Sequence, residues 1–360
     1  MKSEHGGNIS KAAAEFNLEE KEIIDFSANI NFLGPPPAVI DELKQRLKDI
    51  VHYPRPGSAV FKEKLAHFLQ LNVGNLIIGN GASEIIYLLL DQLAPERILL
   101  PVPSFSEYEK AAQKIGASIE YLTLKESEGF SLPLQPLISG VARNDLLILC
   151  TPHNPSGRIY PKEKLKEILQ ATAENDTYLL IDEAFMDFVI DADKYSLISE
   201  IENNPHLFIL RSLTKFYAIP GLRLGYGLGA PELLEKMEKN RDPWSVNSLA
   251  QAAGEVALEC QQYKEKTKKE NEKEKEYIYN NLKKLKGLKV FPSTANFVFC
   301  KLEKENLNAD VLKKQLAKKG LLIRNCSNYR GLDNNFFRLA VKSRENNILL
   351  LENLKEILQK

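Results

Sequence analysis

Tyr178-Leu179-Leu180-Ile181-Asp182-Glu183-Ala184-Phe185 sets an apolar run directly before two acids. A short unbroken run of this kind suits a strand covered on both faces. The pattern recurs in Leu76-Ile77-Ile78, Ile98-Leu99-Leu100, Leu146-Leu147-Ile148-Leu149 and Leu207-Phe208-Ile209-Leu210. Segments such as 84–93 and 162–174, between the runs, have helical spacing. Strand alternating with helix predicts an α/β fold, a mostly parallel sheet covered by helices. In such sheets ligands gather at the carboxyl ends of the strands. The polar motifs of this chain fall there, just after or at the ends of the apolar runs.

The chain has 360 residues, long for one core, so two lobes are expected. Formal net charge is zero, which removes any electrostatic case for nucleic acid or an anionic membrane as partner. No apolar run is long enough to span a bilayer, and the first residues lack the apolar core of a signal peptide. Cys150, Cys260, Cys300 and Cys326 are scattered, so neither a metal site nor a disulfide framework is expected. A cytoplasmic location fits this usage.

Residues 1–40 read as an irregular arm, rich in Gly, Asn and Pro, packing with the small domain. Residues 41–244 hold the apolar runs and form the large domain. Residues 245–360 form a smaller α+β domain, with strands near 290–291, 295–300, 321–323 and 336–341 and helices over 308–319 and 346–358. Within it, 263–289 is dense in Lys and Glu and predicts a helix with a solvated face.

Four motifs carry chemistry. Lys215 ends Ser212-Leu213-Thr214-Lys215, and an amine on a flexible stem can condense with an aldehyde cofactor. Alone it reads as a surface lysine. Asp182, at a strand end, can keep a pyridine nitrogen protonated, so that the ring draws off electrons from a breaking bond. Alone it reads as a helix cap or an arginine partner. Gly81-Ala82-Ser83 precedes a helix, where free backbone N–H groups bind phosphate, and Ser212 and Arg223 can add a hydroxyl and a planar cation. The apolar neighbours of Arg223 imply that its charge has a partner. Asn154, in Pro152-His153-Asn154-Pro155-Ser156-Gly157, is either a turn residue or a donor to a phenolic oxygen. Phe105 is either core or a ring lying over a cofactor.

Taken in order, these motifs with Asp182-Glu183-Ala184-Phe185 and Gly221-Leu222-Arg223-Leu224-Gly225-Tyr226 resemble fold-type I pyridoxal-phosphate enzymes. The closest branch is that of the histidinol-phosphate aminotransferases. The resemblance implies an aspartate-aminotransferase-like large domain and pyridoxal 5'-phosphate as cofactor. It implies Lys215 as the Schiff-base lysine, Asp182 on the pyridine nitrogen and Asn154 on the phenolic oxygen. Gly81, Ala82, Ser83, Ser212 and Arg223 would surround the phosphate, with Phe105 stacked on the ring. Tyr53 matches a tyrosine that reaches the cofactor phosphate of a neighbouring subunit, which implies a homodimer with shared active sites.

Position 185 is Phe, where aminotransferases of this branch usually carry a tyrosine. The lysine segment Thr214-Lys215-Phe216-Tyr217-Ala218-Ile219-Pro220-Gly221, the arm, Pro243-Trp244-Ser245-Val246-Asn247 and Leu322-Ile323-Arg324-Asn325-Cys326-Ser327-Asn328-Tyr329 resemble threonine-phosphate decarboxylases of cobalamin biosynthesis. The expected substrate is a small phosphorylated amino acid, L-threonine O-3-phosphate, and the product is (R)-1-aminopropan-2-yl phosphate. The alternative is amino transfer from histidinol phosphate or a related amino acid. Bond choice at Cα rests on orientation: the bond held perpendicular to the cofactor ring breaks. Arg338 matches the family's carboxylate-binding arginine. Arg324, His5, Asn8, Asn29 and Asn31 are the further candidates for gripping substrate.

Overall fold

The computed structural model describes residues 6–359. Its strands, in chain order, are β1 (Ile24–Asp25), β2 (Leu76–Asn80), β3 (Arg97–Val102), β4 (Ser118–Thr123), β5 (Leu146–Cys150), β6 (Tyr178–Asp182), β7 (Leu207–Ser212), β8 (Leu224–Leu228), β9 (Leu288–Phe291), β10 (Phe297–Leu302), β11 (Leu321–Leu322), β12 (Arg324–Asn325) and β13 (Phe336–Ala340). β2 to β8 form one sheet in the order β2-β8-β7-β6-β5-β3-β4. All five apolar runs are strands of it. Alternate residues of each run enter different cores: Leu179 and Ile181 lie on one face, Leu180 on the other. Both faces are therefore apolar, and the runs show no polar alternation.

β3 to β7 pair in parallel, whereas β8 runs antiparallel to both β2 and β7. That reversal matters for the site. β8 begins at the edge where β2 and β7 end, with Leu224 opposite Asn80 and Gly225 opposite Ser212. Arg223, just before β8, is thereby brought beside Gly81. A Cβ on Gly225 would lie 2.6 Å from Ala82 N and 3.0 Å from the Arg211 carbonyl oxygen. Glycine there lets the N-terminus of helix Ala82–Leu93 rest on the strand.

The second sheet is antiparallel, β12-β13-β10-β9, and is backed by helices Gln261–Leu282, Ala309–Ala317 and Arg344–Gln359. Residues of the arm join this lobe. β1 pairs with β11, Phe26 is wholly buried among Val298, Phe337 and Leu339, and its carbonyl accepts from Ala340 N at 2.8 Å. The arm is less irregular than its composition predicts. Residues Ile9–Phe16 are helical, capped by the Asn8 side chain on Lys11 N and ended by Asn17 at φ 53°. Helix Ser248–Glu259, beyond residue 245, packs on helices Pro37–Arg46 and Ala59–Leu69 rather than on the second sheet.

The charge-rich helix Gln261–Leu282 differs from a uniformly solvated face. Thr267, Asn271, Glu274, Ile278 and Leu282 are buried along one stripe. The Glu274 carboxylate accepts from Arg344 Nε at 2.9 Å and Nη2 at 3.0 Å, which makes its burial tolerable. Among the described residues no helix is long and apolar enough to cross a membrane.

Replacing Gly225 by Ala should lower unfolding stability by about 1–3 kcal/mol, because the backbone of Ala82 and Arg211 has to give way. Denaturant titration measures this; an unchanged midpoint would show that the contact is not tight.

Candidate active site

A cavity of about 200 Å³ lies at the carboxyl edge of the large sheet, beneath the second one. Asp182 and Lys215 line it from the ends of β6 and β7, Phe105 and Asn154 from the loops after β3 and β5. Arg324 and Arg338 line it from β12 and β13, and Asn29 from the arm. Chain segments far apart in sequence thus converge on one space, as the motif order implies.

Asp182 is buried, and both its oxygens are occupied. Oδ1 accepts from Ala184 N at 2.9 Å and Oδ2 from the Tyr108 hydroxyl at 2.5 Å. Burial pushes its pKa up, while the Tyr108 bond and the nearby Lys215 charge oppose the rise. Lys215 is the mirror case. Burial pushes its pKa down, Asp182 holds it up, and Arg223 and Arg338 push it further down. Its Nζ donates to Ser212 Oγ at 3.2 Å and lies 5.1 Å from the centre of the Phe185 ring. A desolvated amine with lowered pKa spends more time unprotonated, the form that attacks a carbonyl.

Asn154 has a fixed amide orientation. Its Oδ1 accepts from the Tyr329 hydroxyl at 3.1 Å and from Arg338 Nη1. Two donors on one atom identify that atom as oxygen, so Nδ2 is the atom left to donate elsewhere. At the β2 end, helix Ala82–Leu93 starts at Gly81, φ 80°, with no side-chain cap on its first N–H groups. A Cβ on Gly81 would lie 2.5 Å from Arg223 Nη2. Uncapped helix N–H groups beside a guanidinium form an anion cradle. Ser212 Oγ, 2.8 Å from Thr214 Oγ1, borders it. Arg223 is exposed, and among the described residues it has no ion pair, contrary to the partnered charge expected from its apolar neighbours.

The family profile for class I and II aminotransferases matches residues 21–354. The chain belongs to that family. It is 37% identical to the threonine-phosphate decarboxylase of Salmonella typhimurium, covering 99% of this chain and 97% of the relative. It is 30% identical to the histidinol-phosphate aminotransferase of Methanococcus aeolicus, covering 98% and 94%. The solved histidinol-phosphate aminotransferase of Clostridium acetobutylicum superposes with a TM-score of 0.87 at 34% identity, covering 93% of this chain and 98% of that one. The architecture is that of the aspartate aminotransferases, and the family's enzymes depend on pyridoxal phosphate.

The residues of this class I/II aminotransferase-fold chain fit that cofactor. The unpartnered cation of Arg223 and the uncapped helix start suit a phosphate, and the carboxylate of Asp182 suits a ring nitrogen. Asn29, in the same cavity, is buried with both side-chain polar atoms unpartnered, as is Arg338 Nε. Buried polar atoms rarely stay unsatisfied, so this part of the cavity is built for polar ligand atoms.

Other sequence candidates are placed elsewhere. Asn31 does not line the cavity: its Nδ2 donates to the Phe216 carbonyl, Tyr263 and Thr267, and its backbone N–H to the Lys215 carbonyl. It braces the lysine segment instead. Asn8 caps its helix beside a separate, outer cavity of about 250 Å³ that Arg324 also lines. Tyr53 is exposed, stacked near Trp244 with ring centres 4.9 Å apart, and is absent from the lining of its own chain's cavity. His5 lies outside the described residues. Sequence reasoning missed Tyr108 and Tyr329. Tyr108 could have been found from the apolar face it shares with Ala111 and Ala112 on helix Ser106–Lys114.

With cofactor removed, Lys215 should titrate below an exposed lysine, and Asp182→Asn should lower it further, since the Asp182 charge holds it up. The pH dependence of Lys215 labelling by an amine reagent, read by peptide mass, tests both signs. An upward move in Asp182→Asn would contradict this electrostatic account.

Proposed function

We propose that this chain decarboxylates L-threonine O-3-phosphate to (R)-1-aminopropan-2-yl phosphate, with pyridoxal 5'-phosphate as cofactor. One observation carries the reading. Arg324 and Arg338 are direct cross-strand partners on β12 and β13, both buried, both lining the cavity that contains Lys215. Two desolvated guanidinium forks suit a small substrate bearing two anions, a carboxylate and a phosphate. Histidinol phosphate offers a phosphate but no carboxylate, so in the alternative reaction only the dicarboxylate acceptor would use both guanidinium groups. The 37% identity to a named threonine-phosphate decarboxylase over nearly the whole chain supports the same reading.

When bound, pyridoxal phosphate supplies an electron sink for the pair left at Cα as carbon dioxide departs. The chain's own residues do the rest. In this reading Arg338 turns the carboxylate to the orientation in which its bond to Cα breaks, and Arg324 anchors the phosphate. Asp182 would pair with the ring nitrogen. Lys215 would bond the cofactor between turnovers, and its Nζ would return a proton to Cα. Gly81, Ala82, Ser83, Ser212 and Arg223 would hold the cofactor phosphate, and Phe105 would cover the ring.

The reading includes a homodimer in which Tyr53 reaches the second copy's phosphate cradle. Leu47, Ile50, Val51, Tyr53 and Trp244 are all exposed around it, an apolar grouping that favours a protein partner.

Threonine phosphate supplied without any keto acid should release carbon dioxide, and Arg338→Ala should lower kcat/KM by about a hundredfold or more. No release, together with 2-oxoglutarate-dependent amino transfer from histidinol phosphate, would sink the decarboxylase reading. Separately, Val51→Asp should yield inactive monomers on sedimentation; a fully active monomer would contradict the shared site.

A further inference from the structure

Tyr329 belongs to no assigned role. It lies between β12 and β13, it is buried, and it lines the cavity. Its hydroxyl donates to Asn154 Oδ1 at 3.1 Å, and its ring lies 5.4 Å from the Arg324 guanidinium carbon. The other donor to Asn154 Oδ1 is Arg338. Position 185, which faces Lys215, carries a phenyl ring and offers no hydroxyl. Asn154 is therefore the group on which donation to the cofactor's phenolic oxygen depends, and its amide is useful only in one of its two flips.

We propose that Tyr329 is a positioning residue: its hydroxyl fixes the Asn154 amide with Nδ2 toward the cofactor, and holds it so when Arg338 turns to the substrate carboxylate. The argument is one of donor supply. Arg338 has further N–H groups for a carboxylate, its Nε being unpartnered, so its Nη1 contact with Asn154 is tied to whatever orientation the substrate imposes on the fork. Tyr329 is the donor on Oδ1 that does not depend on how Arg338 turns. Without it the amide can turn over and present an oxygen to the phenolic oxygen, an unfavourable contact. The ring does a second task, since an aromatic face below a guanidinium keeps Arg324 in place over the cavity. The inference rests on pyridoxal phosphate as the cofactor and on the contact of Asn154 with its phenolic oxygen that the family resemblance implies, but not on which substrate is turned over.

The test is a pH titration of the visible absorbance of the cofactor-loaded enzyme, with no substrate present. A donor on the phenolic oxygen stabilises its negative charge, so the proton shared with Lys215 Nζ is lost at lower pH. Tyr329→Phe should raise the midpoint by about half a unit to one unit, the size of one neutral hydrogen bond. The same exchange should raise it more in an Arg338→Ala background, where no second donor remains, and not at all in an Asn154→Ala background. Tyr329→Phe should also lower kcat about threefold to tenfold while KM stays within about twofold, because the ring under Arg324 is kept. Tyr329→Ala should raise KM as well. An unmoved midpoint in Tyr329→Phe, or an equal shift in the Asn154→Ala background, overturns the proposal. Failure of carbon dioxide release with these shifts intact would instead overturn the substrate assignment alone.

Discussion

A buried amine and a buried carboxylate face each other at the edge of the large sheet, and each charge favours the other. Desolvation alone would neutralise both, driving the Lys215 pKa down and the Asp182 pKa up. Each charge opposes the shift of the other. Tyr108 and Ala184 N add to that opposition on the carboxylate side by donating to its two oxygens. The strand order makes this possible. β6 and β7 are parallel neighbours, so the residues that follow them emerge side by side at one edge.

The second sheet adds what that pair lacks, two buried guanidinium groups lining the cavity. Arg324 and Arg338 face the cavity because they are cross-strand partners on one face of a sheet. Their distance from Lys215 is set by the arm. β1 pairs with β11, Phe26 bridges Leu322 and Ala340, and Asn31 then reaches the carbonyls of Lys215 and Phe216. The Asn296 amide ties down the Asn29 carbonyl at 2.8 Å on the way. A strap of eight residues, 24–31, thus fastens the sheet that carries Arg324 and Arg338 to the helix turn that holds the lysine.

Much of this was legible in the sequence, and the gaps have physical causes. Apolar runs buried on both faces announce themselves, and all five are strands. β4 does not, because an edge strand with half its residues exposed carries a polar pattern. β8 hides in a glycine-rich stretch whose glycines make room for packing rather than for a turn. The arm helix Ile9–Phe16 was masked by Gly, Asn and Pro around an alanine-rich core that its cap residues delimit. Lys215, Asp182, Asn154, Phe105, Arg324 and Arg338 were legible from motifs and do converge. The separate places of Asn29 and Asn31 were not, since residues two apart share one side of an extended chain, and here a tight turn, Ile30 N to the Ala28 carbonyl at 2.9 Å, breaks that pattern. Asn29 enters the cavity, and Asn31 turns away to brace the lysine.

The phenyl ring at position 185 connects these levels. A hydroxyl there would belong to the large sheet and would serve the cofactor whatever the second sheet did. With phenylalanine in its place, the hydrogen bonds that orient Asn154 come from Tyr329 and Arg338, both in the second lobe. Arg324 and Tyr329 share one short segment, so the lobe that brings two guanidinium groups to the cavity also orients the Asn154 amide. A lysine bedded on an apolar ring, rather than beside a second hydroxyl, loses a hydrogen-bonding competitor for its proton and stays desolvated. In the proposed reading the choice of which bond breaks then rests with the second sheet, and the large sheet is left to carry the charge.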